Sequence, residues 1–519
     1  MTVTPFSVHV RAAVIEQTER TRSRSKADIE RLIEESESKI TSLESLELCD
    51  RERARVAALR YLISPICTFP VELLAEIFGL AIHDDTHIKD AFRVSQVCSD
   101  WRRVAHGTPE LWNRNFCVYP PSIDSDEFCA GGLKDWLARS APLPVPITWC
   151  GRARKIISCR SSEEVLRVAS RWRSLDFECT SPRWLVSRLA ECQLENLEAL
   201  ALTIPSTTDP SIVLAFTVPR LRKLSLLIHS DVLPILVMPW AQLVDLTLDC
   251  RVHRQLDITF DLLAQCPNLV RASVSTGLGL PGAARDVFAL NHLRSVRVFI
   301  RYSASAGHSA SFLDCVSVPV LEQLCLNYRD LGLNISDWTD THFPAFLLRT
   351  PTITALELQY SALTPDELRV ALHHTPCLER LTLRYCTRCV DDTLIDALHY
   401  KGGLTPLVPH LHHLVLELML PVSGLADIMA SMIASRWWTD TELASNPDPP
   451  AVARWTIVCL EGYLESRFVD IIAGLQRKGN EIEGLTQYPV QGCLTKSLAE
   501  FGCLLANIIV IPSPAHPYA

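Results

Sequence analysis

At 519 residues the chain is long enough for two or more domains, or for one elongated repeat array. Its formal charge of −9 leaves no basic excess to neutralise phosphates, which argues against nucleic acid as a partner. No apolar run is long enough to cross a bilayer, the N-terminus lacks the apolar core of a secretory signal, and the 19 cysteines lack a tight disulfide framework. These features predict a protein of the cytoplasm, the nucleus or both, with free thiols and no membrane partner.

Residues 1–27 read as a flexible N-terminus, with Arg20, Arg22, Arg24 and Lys26 alternating with Thr and Ser. Residues 28–62 carry no Pro or Gly and read as one charged helix. Straight, it would be about 50 Å long. Ile29, Ile33, Ile40 and Leu43 lie near a 4-3 repeat that holds for about two heptads, enough for a short coiled coil, but the favoured reading is a solvated helix that leads into the next segment and packs locally through Val56, Leu59 and Leu62.

Residues 63–116 are denser in apolar side chains. Phe69-Pro70 opens a segment in which Leu73, Leu74, Ile77, Phe78 and Ala81 recur at helical spacing. Pro70 suits a first helical turn, where its missing N–H is no loss. A polar stretch, His83 to Asp90, ends that helix. A second helix carries Phe92, Val94, Val97, Cys98, Trp101 and Val104 on its apolar surface. Thr108-Pro109 then breaks the chain ahead of the anchors Leu111 and Trp112.

Three runs at these positions carry a resemblance: Phe69-Pro70-x-Glu72-Leu73-Leu74-x-Glu76-Ile77-Phe78, then Val94-Ser95-Gln96-Val97-Cys98-x-x-Trp101-Arg102, then Thr108-Pro109-x-Leu111-Trp112. Together they resemble an F-box, most closely the F-box-like proteins numerous in fungi. Phe69 stands where the family usually has Leu, and the stretch between the helices is atypical. The resemblance implies a module that binds the Skp-type adaptor of a cullin–RING ubiquitin ligase. Its adaptor contacts would be Phe69, Pro70, Leu73, Leu74, Ile77, Phe78, Val94, Val97, Cys98 and Trp101.

Residues 117–146 shift to Pro, Ser, Asp and Gly and read as a linker with a helix at Leu133 to Ala138. From Ile147-Thr148-Trp149, a short strand, to residue 418 a unit Leu-x-x-Leu-x-Leu recurs. Its first positions fall at Trp172, Leu197, Leu221, Leu243, Leu269, Leu293, Leu321, Ile353, Leu378 and Leu411. In a short strand the last two apolar positions point to one face and the intervening residues to the other. One such unit cannot bury its own apolar face, but stacked units share a core. The pattern resembles irregular leucine-rich repeats, without the Asn or Cys that usually follows the last Leu. Helical stretches fall between strands, for example Asp261 to Gln265 and Pro365 to Leu372, the second capped by Thr364. Residues 419–511 read as an irregular cap, with a helix at Leu425 to Trp438, a loop at Asn446 to Pro450, a strand at Trp455 to Cys459 and a helix at Ser466 to Lys478. Residues 512–519 read as a tail. The predicted fold is mixed, α+β to α/β: an N-terminal helix and a small all-α F-box, then an irregular leucine-rich-repeat solenoid.

No Gly-rich phosphate loop or nucleophile elbow occurs, and no catalytic residue, metal site or cofactor is predicted. Cys386-x-x-Cys389 lacks a second ligand pair at finger spacing and reads as a pair of turn and core thiols. The binding surface is expected on the strand face opposite the leucines. Lys223, Arg271, Arg297, Arg301, Asn327, Arg380 and Arg384 are candidate substrate contacts there, beside Asp245, Asp249 and Glu357. Arg271, Arg297 and Arg301 would suit an acidic or phosphorylated segment, against the plainer reading of a self-paired face. The expected role is the substrate-recognition subunit of a Skp–cullin–F-box-type ligase, joining an adaptor and cullin scaffold to an unknown protein substrate. The alternative is a non-catalytic leucine-rich-repeat scaffold that does not direct ubiquitylation.

Overall fold

Ser25 shows why the N-terminal region is helical. Its hydroxyl accepts from the Asp28 N–H at 3.3 Å, and the Asp28 carboxylate accepts from the Ser25 N–H at 3.2 Å. This capping box satisfies two amides that a helix start leaves unpaired. In the computed structural model, α1 spans Pro5–Thr21, α2 Lys26–Ser42 and α3 Leu46–Leu62. The residues described are 5–21, 23–43, 46–67, 69–83, 87–118, 126–149, 160–177, 183–204, 213–229, 235–250, 256–277, 287–301, 312–328, 342–361, 363–386, 388–402, 406–418, 426–438, 440–445, 452–462 and 507–512.

Two expectations are corrected here. The N-terminus is not a flexible arm, because α1 packs along α3. Residues 28–62 are not one straight helix, because α2 ends at Ser42 and α3 packs along α2 as well. Ile29 and Ile33 meet Val56 and Leu59 in a small core edged by Leu32, Ile40 and Ile63. Ile29 and Ile33 of the 4-3 repeat are therefore covered within the chain itself, by the Val56 and Leu59 expected to pack locally.

The chain divides into two compact units, residues 1–115 with 134–143, and residues 116–133 with 144–519. In the first unit, α4 spans Val71–Ala81, α5 His87–Ser95 and α6 Ser99–His106. The expected second helix is thus two. Cys98 has extended backbone (φ −153°), and its thiol accepts from the Trp101 N–H at 3.4 Å, capping α6. His87 to Asp90, expected in a polar loop, form the first turn of α5. Arg114 donates to the carbonyls of Gly79 and Ile82 at 3.0 and 2.8 Å, which the end of α4 leaves free. Trp112 is fully buried, its indole N–H donating to the Ala105 carbonyl at 2.7 Å.

The expected linker is largely structured. It holds β1 (Phe116–Val118), α7 (Asp126–Arg139) and the start of β2 (Val145–Trp149). The last part of α7 belongs to the first unit. There the Trp136 ring lies 4.9 Å from Trp112 and 5.9 Å from Phe92, and the Arg139 guanidinium sits 4.8 Å over Trp112. Trp136 is buried, so its large apolar surface serves the same core as Trp112.

In the second unit the strands continue as β3 (Trp172–Phe177), β4 (Ala199–Ile204), β5 (Val213–Ala215), β6 (Lys223–Ile228), β7 (Ile235–Val237), β8 (Asp245–Cys250), β9 (Arg271–Gly277), β10 (Phe288–Ala289), β11 (Ser295–Arg301), β12 (Val316–Ser317), β13 (Gln323–Asn327), β14 (Ala355–Gln359), β15 (Arg380–Arg384), β16 (His413–Leu418), β17 (Ile457–Gly462) and β18 (Asn507–Pro512). Among the described residues, 14 of them form one long sheet in chain order, every neighbouring pair parallel, while β5 with β7 and β10 with β12 form two small sheets.

Register places the repeated apolar positions in rows. Leu200, Leu224, Leu246, Ala272, Val296, Leu324, Leu356, Leu381 and Leu414 are successive partners and all are buried. The first Leu of a unit sits in the turn before its strand, its N–H donating three residues back, as Leu221 does to Val218 and Leu378 to Thr375. The side chain just before it ties the turn to the preceding unit. Asn196 donates to Ser170 O, Gln242 to Val218 O, Asn268 to Ala241 O and Thr352 to Leu321 O, at 2.7–2.9 Å. These bonds satisfy turn carbonyls without the Asn that consensus repeats carry after the last Leu.

Thr364 caps the helix Pro365–His373 through a capping box with Glu367. The other cited helix runs Leu256–Ala264, and the one expected over Leu425 to Trp438 runs Ala426–Ala434. The supposed cap is not separate from the sheet, since β17 pairs with β16, and β18, which includes Pro512, pairs with β17. The loop expected at Asn446 to Pro450, the helix at Ser466 to Lys478 and the tail beyond Pro512 lie outside the described residues. Arg436 is fully buried. Its guanidinium donates to the carbonyls of Leu398, Val408 and Leu411 at 3.0–3.3 Å and lies 5.2 Å over the Trp455 ring. Burial lowers its pKa to about 10, so it stays charged at neutral pH.

Candidate functional site

Two surfaces stand out, one in each unit. The first lies on α4 and the start of α6. The sequence of α4, VELLAEIFGLA, is apolar on more than one face, and only one face is buried. Leu74 and Phe78 point inward, with the Phe78 ring 4.8 Å from Trp101. Phe69, Pro70, Val71, Leu73 and Ile77 are exposed, Leu80 is 82% exposed, and Val97 is exposed beside the start of α6. Val94, Cys98 and Trp101 are half-buried.

The ten contacts expected from sequence therefore separate. Phe69, Pro70, Leu73, Ile77 and Val97 share the open surface. Leu74 and Phe78 are core residues that hold α4 in place and are corrected to that role. Leu80, at helical spacing from Leu73 and Ile77, belongs to the open surface and was missed, whereas Val71, also exposed, starts the helix on its other side. The sequence signal was that α4 has more apolar positions than one buried stripe needs. A cluster of uncovered apolar side chains on a small helical unit marks an interaction surface rather than a chance exposure.

The second surface is the sheet face opposite the leucines. Lys223, Arg271, Arg297 and Arg380 are exposed there, Asn327 and Arg384 are half-buried, and the side chain of Arg301 lies outside the described residues. The structure does not gather Arg271, Arg297 and Arg301 into one patch. Arg271 is level with Ser295, whereas Arg297 is level with Ser273 and Arg301 with Gly277. Measured from Arg271, these offsets along the strand amount to about 7 and 20 Å. Arg271 is also paired with Asp245 at 3.1 Å, and Arg384 lies between Glu417 at 2.9 Å and Glu357 at 3.5 Å. Much of this face is self-paired.

Cys386 and Cys389 are fully buried. Their thiols donate to the carbonyls of Leu358 and Arg384, and of Ser361. A hydrogen bond to Cys386 and then burial hold the Cys389 thiol well above its usual range, so it stays a thiol rather than a nucleophilic thiolate. Among the described residues no group of three or more His, Cys, Asp or Glu is placed to hold a metal ion, and no helix is long and apolar enough to cross a membrane.

A family model described as F-box-like matches residues 66–118. This is the segment that carries the open apolar surface, and it supports reading the chain as an F-box protein. F-box domains bind Skp-type adaptors and typically occur in adaptor subunits rather than catalytic ones. No curated protein matches the chain.

Proposed function

We propose that the chain is the substrate-recognition subunit of a Skp–cullin–F-box-type ubiquitin ligase. The observation that carries this reading is the uncovered apolar surface of Phe69, Leu73, Ile77, Leu80 and Val97 on the F-box-like segment. Buried against an adaptor, side chains of this kind contribute roughly 1.5–3 kcal/mol each before the costs of association. Leu74, Phe78 and Trp101 hold the helices that present them.

The second unit is read as an irregular leucine-rich-repeat solenoid whose polar strand face binds the substrate. The in-register apolar rows and the tied turns favour that reading. The chain itself performs no chemistry in this role. Adaptor and cullin scaffold at one unit and substrate at the other raise the concentration of substrate near the ubiquitin-loaded enzyme. The test is affinity purification with the proteasome blocked, comparing wild type with Leu73→Asp. Adaptor and cullin are expected with wild type and lost from the variant. A wild-type chain that captures no adaptor would sink the proposal. Capture of adaptor without cullin would replace the ligase reading with that of a scaffold.

A further inference from the structure

The first unit holds a polar cavity of about 280 Å³ between α1, the end of α2 and the start of α3. That is close to the small end of ligand-binding pockets. Its walls lie outside residues 66–118, the segment that matches the F-box-like model. Helices of a small unit ordinarily close on apolar side chains, as α2 and α3 do at Ile29, Ile33, Val56 and Leu59. Around the cavity they meet over charged and amide groups instead.

Arg20, Lys39, Arg51 and Arg55 line the cavity against Glu16 and Glu52, which leaves it net positive by two. Both carboxylates are already taken. Glu16 pairs with Arg20 at 2.7 Å and Glu52 with Arg55 at 3.6 Å. Lys39 and Arg51 have no carboxylate partner among the described residues, so they carry the surplus. Both are also exposed, so an anion reaches them from solvent. Deeper groups lack partners as well. Gln17 is 3% exposed, and its amide makes no hydrogen bond among the described residues. The Arg55 Nε–H and the Glu52 Oε2 are buried and unpaired. Folded chains leave few buried polar groups in this state, because each forfeits a bond it would make in water. An unpaired donor, an unpaired acceptor and an amide that is both surround one space. They complement a molecule that brings acceptors and donors together. Water would serve those three, but it does not answer the two unpaired cations.

We propose that this cavity binds a small phosphate monoester that carries hydroxyl groups. Such a phosphate holds about −1.5 to −2 charges at neutral pH, which matches the surplus. Arginine forks onto phosphate oxygens and lysine meets them as a point charge. Arg51, Lys39 and the Arg55 Nε–H are the donors to the phosphate, while Glu52 and Gln17 accept from the hydroxyls. Sulfate would answer the cations but bring Glu52 no donor. Since α1 and α2 both pack on α3, a ligand held by all three helices also stabilises the N-terminal region.

The experiment titrates the full chain with glycerol 3-phosphate, sulfate, glycerol or a phosphoserine peptide at constant ionic strength, followed by calorimetry and by thermal unfolding. Glycerol 3-phosphate is expected to bind saturably, about tenfold or more tighter than sulfate, and to raise the melting temperature. Glycerol should do neither. Lys39→Gln with Arg51→Gln should weaken binding about tenfold or more. Both side chains are exposed, so this variant keeps its fold. Arg53→Gln removes an exposed arginine of α3 that does not line the cavity and should leave binding unchanged. Glu52→Gln should shrink the preference over sulfate. Glycerol 3-phosphate that fails to bind saturably, or binds the Lys39 and Arg51 variant as well as wild type, overturns the proposal. So does sulfate bound equally tightly, or the phosphoserine peptide bound more tightly. Adaptor capture depends on other residues, so failure here leaves the ligase reading standing.

Discussion

Helix α4 and the strands of the long sheet are both built on leucine, yet the leucines meet different fates. In the sheet, Leu224, Leu246, Leu356 and Leu381 are covered by the strands on either side of each. In α4, Leu73 and Leu80 are left open while Leu74 of the same helix is buried. A stacked array completes its own core, one unit supplying the neighbour the next requires. A small helical unit has no such neighbour for its second face. Apolar residues of one kind thus serve cohesion in one unit and are available for association in the other.

Four experiments break or sharpen that contrast. Trp136→Ala removes a buried ring from the Trp112 core and should cost the first unit about 3–5 kcal/mol, read by denaturant unfolding, with adaptor capture lost as the unit opens. Leu381→Ala in the sheet should cost about 2–5 kcal/mol and leave adaptor capture intact. Leu73→Asp should reverse this pattern, with capture abolished and stability within about 0.5 kcal/mol of wild type, because an exposed substitution removes no packing. Equal loss of stability in Leu73→Asp and Leu381→Ala would refute the contrast.

The smallest effect concerns pH. His413 opens β16 and His412 precedes it, and burial, with Arg380 nearby, lowers both pKa values below 6.5. The folded state therefore holds these histidines neutral, while the unfolded chain takes up protons once pH falls through about 6.5. Stability from this source is complete above that pH and declines as pH falls toward the folded values. His413→Gln should flatten the fall in melting temperature between about pH 7.5 and 5.5. An unchanged slope would remove His413 from the account.

Sequence made the sheet legible because a strand's period of two turns Leu-x-Leu directly into a buried row, and the register followed from it. The F-box-like segment was legible through Pro70, the Val97-Cys98-x-x-Trp101 run and the Thr108-Pro109 break. Other features left no comparable trace. The break between α2 and α3 falls where the sequence carries neither Pro nor Gly, so nothing marked it. Cys98 caps α6 although cysteine is not a usual capping residue. Leu80 could not be told from Leu74 and Phe78, because spacing alone does not reveal which apolar face of a helix is covered. The ties of Asn196, Gln242 and Asn268 depend on the neighbouring unit's position. The left-handed backbone at Tyr360 and Tyr385, with φ of 55° and 56°, runs against what their residue type prefers.

Arg436 has a consequence for how the chain is made. The three carbonyls it serves belong to residues 398, 408 and 411, all synthesised before it. At roughly 5–20 residues per second, Leu398 waits about 2–8 s for its donor to leave the ribosome. Trp455, the ring beneath the guanidinium, is synthesised later still, so the surroundings of Arg436 are completed only by residues that follow it in the chain.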